Sequence, residues 1–362
     1  MAKKTQDLGL VQMFGLTYEQ SNLLFSTQYR LTRLDITNEK NEEKKKVKTK
    51  WLEEWKKGIT AFLSSQESCD ISELIPIPKL DKYFKDELLK SYNKTWYYIL
   101  ILECISFTPY TQLGDEKRDK EYSKCKYNSK IAYDNIMSFF SKQGFLSTDT
   151  IDRLHQTYDK SINQITGKAG KIAVRILSIV AISAIAAAAA AIFAGPIAVA
   201  IFGSQFPGLS GAALTSACLA MAGGGAIAAG GAGMAGGVAA IAGGGGLLGL
   251  AGGGAGSTFL SKIVKSSPEY ALTQSAKLET ILKEVILNAQ YDVASAQKVI
   301  AKLQEQINEL KGELTKLETE NEKNKKEIKN IKESIKYMTK ACKEMNVFTS
   351  SFDTGMKASG NS

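Results

Sequence analysis

General acid–base catalysis needs a titrating side chain with a partner, and the chain has one histidine, His155. No nucleophile-and-base arrangement can be assembled around it, so it reads as a surface or packing residue. Carboxylates are plentiful but alternate with lysines, which is the pattern of solvated helical faces. The cysteines (Cys69, Cys104, Cys125, Cys218 and Cys342) are scattered and lack C-x-x-C spacing. That argues against a zinc site and against a disulfide scaffold. Two glycine runs, Gly231/Gly233/Gly236 and Gly244/Gly246/Gly249, match G-x-G-x-x-G. A dinucleotide site also needs a strand before the glycines, a helix after them and an acid about 20 positions on. No strand pattern precedes them, and the first acid beyond is Glu269. The segment Ile165 to Lys171, ITGKAGK, lacks the G-K-[ST] ending of a phosphate loop. The residue chemistry therefore points away from an enzyme and implies no cofactor and no metal.

The segment that stands out does no such chemistry. From Ile176 to Ser261 there is no Lys, Arg, Asp, Glu or His. Its first part, Ile172 to Phe202, is rich in large apolar residues, and a membrane-spanning helix needs about 20 such positions. Ile176, Ile179, Ile182, Ile185, Ile192, Phe193, Ile197, Ile201 and Phe202 are the expected membrane-inserting residues. Gly195-Pro196 offers a kink, and Gly203 to Gly211, with Pro207-Gly208 at its centre, offers the turn of a hairpin. The second part, Ala212 to Leu260, is mostly Gly and Ala. Glycine costs about 1 kcal/mol against alanine in a helix interior, so this half is a marginal span that needs a neighbour. Gly233-x-x-x-Gly237, Gly245-x-x-x-Gly249 and Gly249-x-x-x-Gly253 permit close helix approach. Lys168, Lys171 and Arg175 precede the uncharged stretch and Lys262 and Lys265 follow it. Positive charge at both ends fits a hairpin whose ends lie on one side, beside lipid headgroups. The net charge of +9 over 362 residues suits an anionic membrane, and no nucleic-acid motif accompanies it.

Everything outside the tract reads as charged helix. Tyr18 to Ile36 follows a capping box formed by Thr17 and Gln20. The charge run Asn38 to Lys50 reads as a solvated helical extension or loop. Trp51, Trp55, Ile59 and Phe62 then recur at helical spacing, as a core stripe would. Pro76 and Pro78 mark a connection, and Lys82 to Phe107 is expected as one long helix ended by Pro109. Its apolar part, Trp96 to Phe107, is too short to cross a bilayer and reads as a buried bundle helix. A charged connection, Gly114 to Ser129, leads to helices over Ile131 to Phe140 and Thr148 to Ile165. Between these, Gly144 is the expected C-cap, and Ser147, Thr148 or Asp149 the N-cap.

After the tract, a heptad seam runs from Leu282 through Leu303, Ile307, Leu310, Leu314, Leu317, Ile328, Ile331 and Ile335 to Met345. Alternating steps of four and three are the signature of a coiled coil. Asn321 and Asn324 fall on the seam, where the helix bends or a hairpin turns. The tail from Ser350 reads as disordered.

The expected architecture is all-α. It comprises an N-terminal helical bundle (1–170), an apolar Gly/Ala-rich inserting hairpin (171–262), coiled-coil helices (263–349) and a tail (350–362), together an elongated bundle. This layout resembles the alpha-helical pore-forming toxins of the cytolysin A type, including the haemolysin BL and non-haemolytic enterotoxin components. The resemblance implies that Ile172 to Leu260 is a head hidden in a soluble form, that Leu282 to Met345 belongs to a rod-like tail, and that copies or companion components assemble into a pore. Apolipoprotein L-like proteins are similar in the same way, with a central apolar hairpin between amphipathic helices. The first 16 residues lack the pattern of a Sec signal, so the chain is expected to be made as a cytosolic or exported soluble form that acts at a membrane. The expected partners are a lipid bilayer and further copies or pore components, not nucleic acid. The competing expectation is a permanently anchored coiled-coil scaffold.

Overall fold

The computed structural model describes residues 16–64, 73–110, 116–167, 268–320 and 325–359. The uncharged tract and its basic brackets lie outside these residues. The described chain is all-helical: α1 (Tyr18–Thr37), α2 (Glu42–Ser64), a 3-10 turn (Ile77–Lys79), α3 (Leu80–Lys90), α4 (Thr95–Ile105), α5 (Glu116–Tyr122), α6 (Ser129–Ser141), α7 (Thr148–Thr166), α8 (Pro268–Ile281), a π-helical turn (Leu282–Leu287), α9 (Val293–Glu320) and α10 (Lys325–Ser359). No described helix is long and apolar enough to cross a membrane. The described residues fall into two units, 16–152 and 153–167 with 268–359. The division lies inside α7, earlier than the boundary near residue 170 that composition suggests.

In the N-terminal unit, α1 begins as its capping box dictates. The Thr17 hydroxyl accepts from the Gln20 N–H at 3.3 Å, and the Gln20 side-chain Oε1 accepts from the Thr17 N–H at 3.0 Å. Replacing Thr17 with alanine is expected to cost about 1 kcal/mol. The urea midpoint of tryptophan emission checks it, because Trp51, Trp55 and Trp96 are the protein's three tryptophans and all belong to this unit.

The aromatic stripe of α2 is core, as its spacing requires. Trp51, Trp55 and Ile59 are fully buried. Trp51 stacks on Trp55 and meets Tyr110 edge-on, while Phe25 of α1 meets Trp55 the same way. The apolar run of α4 is enclosed, with Tyr97 through Leu102 buried apart from the half-buried Tyr98. The Tyr97 hydroxyl donates to the Phe140 carbonyl at 2.9 Å. Phe84, Trp96, Phe139 and Phe140 complete a second aromatic cluster around it. Each large side chain buried this way contributes about 1.5–3 kcal/mol.

A buried ionic hub closes the unit. Asp35, at the end of α1, accepts from Lys48 Nζ at 2.7 Å, from the Tyr110 hydroxyl at 2.6 Å and from the Asn128 N–H at 2.8 Å. Lys48 also pairs with Glu39 at 2.9 Å and lies 5.0 Å from the centre of the Tyr110 ring. Burial pulls the Lys48 ammonium down, but its hydrogen bonds to Asp35 and Glu39 outweigh this and hold it above the ordinary lysine value. The hydrogen bond from Lys48 holds Glu39 below the ordinary glutamate value. Tyr110 adopts φ 67°, a conformation costly for a residue with a side chain, and its surroundings fix it there.

Of the two forms expected for the charge run, the helical one is present from Glu42, because its lysines and glutamates pair at i,i+3 and Asn41 caps the Lys44 N–H. Other expectations change. The single helix expected over Lys82 to Phe107 breaks at residues 91–94, where the Ser91 hydroxyl turns back to Glu87 and the Asn93 side chain caps the Thr95 N–H. The connection before α6 carries a short helix of its own, α5. The tail is helical to Ser359, with Phe352 stacked on Phe348 and set against Tyr291. The expected cap of α7 holds, with the Ser147 hydroxyl accepting from the Thr150 N–H, whereas α6 caps at Lys142 and the expected Gly144 follows two residues on with φ +75°.

Candidate functional site

The expected inserting residues Ile176, Ile179, Ile182, Ile185, Ile192, Phe193, Ile197, Ile201 and Phe202 lie outside the described residues, as do Lys168, Lys171, Arg175, Lys262 and Lys265. What the structure supplies is the bundle at which the tract begins and ends. In the C-terminal unit, Arg153 Nε donates to Glu284 at 2.9 Å and the Thr157 hydroxyl to the same carboxylate at 2.7 Å. One turn further along α7, Ser161 faces Glu279. As α7 advances, its partners recede along the chain, so α7 and the segment from α8 through the π-turn are antiparallel. Gly167 and Pro268, the residues that flank the tract, therefore sit at the same end of one bundle.

The other helices extend this order. Gln164 donates to Glu344 of α10 at 3.4 Å, and a Cβ at Gly167 would stand 3.2 Å from Lys340 Nζ. Gly167 itself has φ +69°, the left-handed conformation that ends α7. Lys283 lies 5.3 Å from the Phe348 ring centre, so α10 runs parallel to α8. Lys332 pairs with Glu318 at 2.7 Å and the Cys342 thiol meets Gln304 at 3.6 Å, so α9 runs antiparallel to α10. From Tyr337, which is near Glu269 of α8, α10 still has Lys325 to Lys336 to run, about 18 Å at 1.5 Å per residue. The α9–α10 hairpin thus continues past the level at which the tract joins the bundle.

Along that hairpin Leu303, Ile307, Leu310, Ile331 and Ile335 are buried, while Leu314, Leu317 and Ile328 are half-buried. The seam is not one helix from Leu282. The π-turn, with bonds from the Asn288 N–H to the Lys283 carbonyl and from the Gln290 N–H to the Val285 carbonyl, ends in a reversal at Tyr291, φ 56°. Heptad spacing survives this break because it records which residues face the core, whatever the backbone does between them.

Sequence reasoning placed helix over α8 but missed its complete burial and the charge inside it. Every residue from Tyr270 to Lys283 is buried, Lys277 and Glu279 included. Glu279 accepts from Lys283 at 2.6 Å across the entry to the π-turn. Burial pushes the Glu279 carboxyl up, against the opposing pull of Lys283. Thr273 and Thr280 satisfy their hydroxyls on the carbonyls one turn back. A helix with this many polar side chains reads as surface, and the only sequence hint otherwise is its position directly after the tract. His155 pairs with Asp159 at 3.4 Å on α7. No group of three potential metal ligands occurs among the described residues. No known family model, no curated protein and no solved structure matches the chain.

Proposed function

We propose that this is a membrane-inserting protein that permeabilises bilayers, with Ile176 to Ser261 as the inserting segment and oligomeric pores of the cytolysin A kind as the product. The observation that carries the reading is the absence of any charge across that tract. Three others support it. Both flanks of the tract belong to one end of one helical bundle, as a hairpin requires. No described helix could cross a bilayer in its place. The basic residues bracketing the tract suit anionic headgroups.

Dye release from liposomes by protein purified without detergent tests the reading. Wild type is expected to release dye. Ala187→Asp is expected to lower the rate by about 100-fold, because a carboxylate at mid-bilayer costs about 2.5–3.5 kcal/mol on insertion scales. Equal release by the variant would remove the tract from the mechanism.

A second reading, a permanently anchored scaffold, draws on the half-buried Leu314, Leu317 and Ile328 of the α9–α10 hairpin, which offer a partner helix a seam. A chain extracted only by detergent and inert in dye release would favour it.

A further inference from the structure

Scattered exposed apolar side chains are ordinary on a protein surface, but a cluster is not. Among the described residues the exposed large apolar side chains are Tyr83, Leu89, Tyr92, Phe145, Tyr291 and Val347. Three of these fall within one short stretch, and two of the three are the most exposed of all, Leu89 at 85% and Tyr92 at 102%. The stretch is α3 and the turn that joins it to α4.

This exposure is enforced by a network of hydrogen bonds. The Ser91 hydroxyl donates to Glu87 at 2.6 Å, and Gln20 of α1 donates to the same carboxylate at 2.8 Å. The Lys94 ammonium caps the Leu88 and Ser91 carbonyls. The Asn93 side chain accepts from the Thr95 N–H at 2.8 Å. The turn is held from both sides while Leu89 and Tyr92 stand out from it. On α3, Phe84 is fully buried and the neighbouring Tyr83 is exposed.

Charge in this stretch is weighted to one sign. Asp81 accepts from Gln143, just after α6, and Glu87 accepts from Gln20 of α1. Lys79, Lys82, Lys85 and Lys90 are exposed, against the exposed Asp81 and the half-buried Asp86. What faces solvent is an excess of lysines around a leucine and two tyrosines. Tyrosine favours the headgroup layer, leucine the layer beneath it, and lysine an anionic surface.

We propose that α3 and the turn after it form a docking patch for an anionic lipid surface, with Leu89 and Tyr92 entering the interface and Lys79, Lys82, Lys85 and Lys90 contacting headgroups. The choice of lipid over a protein partner rests on the membrane reading above, but the patch lies far from the tract in sequence and the two ideas fail separately.

The experiment is flotation of the full chain with vesicles of phosphatidylcholine alone or mixed with phosphatidylserine. Wild type is expected to bind the anionic vesicles. Leu89→Ser/Tyr92→Ser and Lys82→Glu/Lys85→Glu/Lys90→Glu are each expected to bind them more than about tenfold more weakly. Unchanged emission from Trp51, Trp55 and Trp96 in each variant would show that the unit is folded. Ala187→Asp is expected to bind as wild type does while releasing no dye, and the Leu89/Tyr92 variant to recover dye release at saturating protein. Wild-type binding by either folded patch variant, or equal binding of the wild type to both vesicle types, would overturn the patch. Loss of binding in Ala187→Asp would overturn it also, and would leave insertion standing as the sole attachment.

Discussion

Replacing Asp35 with alanine is expected to destabilise the N-terminal unit by about 3–5 kcal/mol, the range for breaking a buried ion pair by removing one partner. Three donors lose their acceptor at once: the Lys48 ammonium, the Tyr110 hydroxyl and the Asn128 N–H. The Lys48 side chain is 3% exposed, so water cannot replace the carboxylate without local opening. Glu39 remains, but its side chain is 19% exposed and it cannot serve Tyr110 and Asn128 as well. The urea midpoint of tryptophan emission should fall sharply, and a midpoint within the effect of Thr17→Ala would sink the argument. The hub also sets a pH window. Lys48 sits above its ordinary value, so its contribution is complete below that value and is lost as pH rises through the folded one. Glu39 sits below its ordinary value, so its contribution is complete above that value and is lost as pH falls through the folded one. The hub's own contribution should therefore be flat between the ordinary glutamate and lysine values and decline on both sides. The Asp35→Ala variant should lose the hub's share of the alkaline decline and keep the share of Tyr97 and Tyr127, whose hydroxyls burial pushes up.

In the C-terminal unit the corresponding change is Glu279→Ala. Lys283 would keep the Phe348 ring, 5.3 Å away, but lose its only close carboxylate among the described contacts, with a side chain 10% exposed. The expected cost is about 3 kcal/mol, at the low end because the ammonium has a short route to water. Amide exchange across residues 268–287 should quicken by more than about 100-fold, since 1.4 kcal/mol is a factor of ten. The paired change Glu279→Leu/Lys283→Met should cost far less, because two charges replaced by apolar groups leave nothing unpaired. If single and double variants exchanged equally fast, the pair would be incidental to the fold. Burial raises the Glu279 pKa above its unfolded value, so the folded state holds that proton more tightly than the unfolded chain does. This unit should gain stability as pH falls from neutral through that raised value toward the ordinary one, and lose it again as pH rises.

The parts of this protein that the sequence discloses are those where a single residue property decides the structure. Thr17 and Gln20 announce a cap, and the Trp51/Trp55/Ile59 stripe announces a core face. The apolar block of α4 can only be buried, and Gly144 marks a left-handed residue. α9 ends at Glu320 and α10 begins at Lys325, while Asn321 and Asn324 lie outside the described residues. What stays hidden depends on partners far apart in the chain. Asp35, Lys48 and Tyr110 are unremarkable letters until three segments bring them together, and the polar face of α8 gives no sign that other helices surround it. The break at residues 91–94 was concealed by the apolar residues on either side, which continue a helical pattern through a turn that Ser91 and Asn93 make with their side chains. The candidate site was legible as composition only, because an uncharged tract declares its solvent but not its shape.

The antiparallel pairing of α7 and α8 makes the chain between Gly167 and Pro268 an excursion from a bundle that returns to where it left. Closing such an excursion costs entropy that grows only as the logarithm of its length, about 0.6 kcal/mol for each doubling. Closure therefore exerts almost no selection on how long the tract is. In that sense the bundle is a socket that holds the two ends of the tract together whatever the length of chain between them.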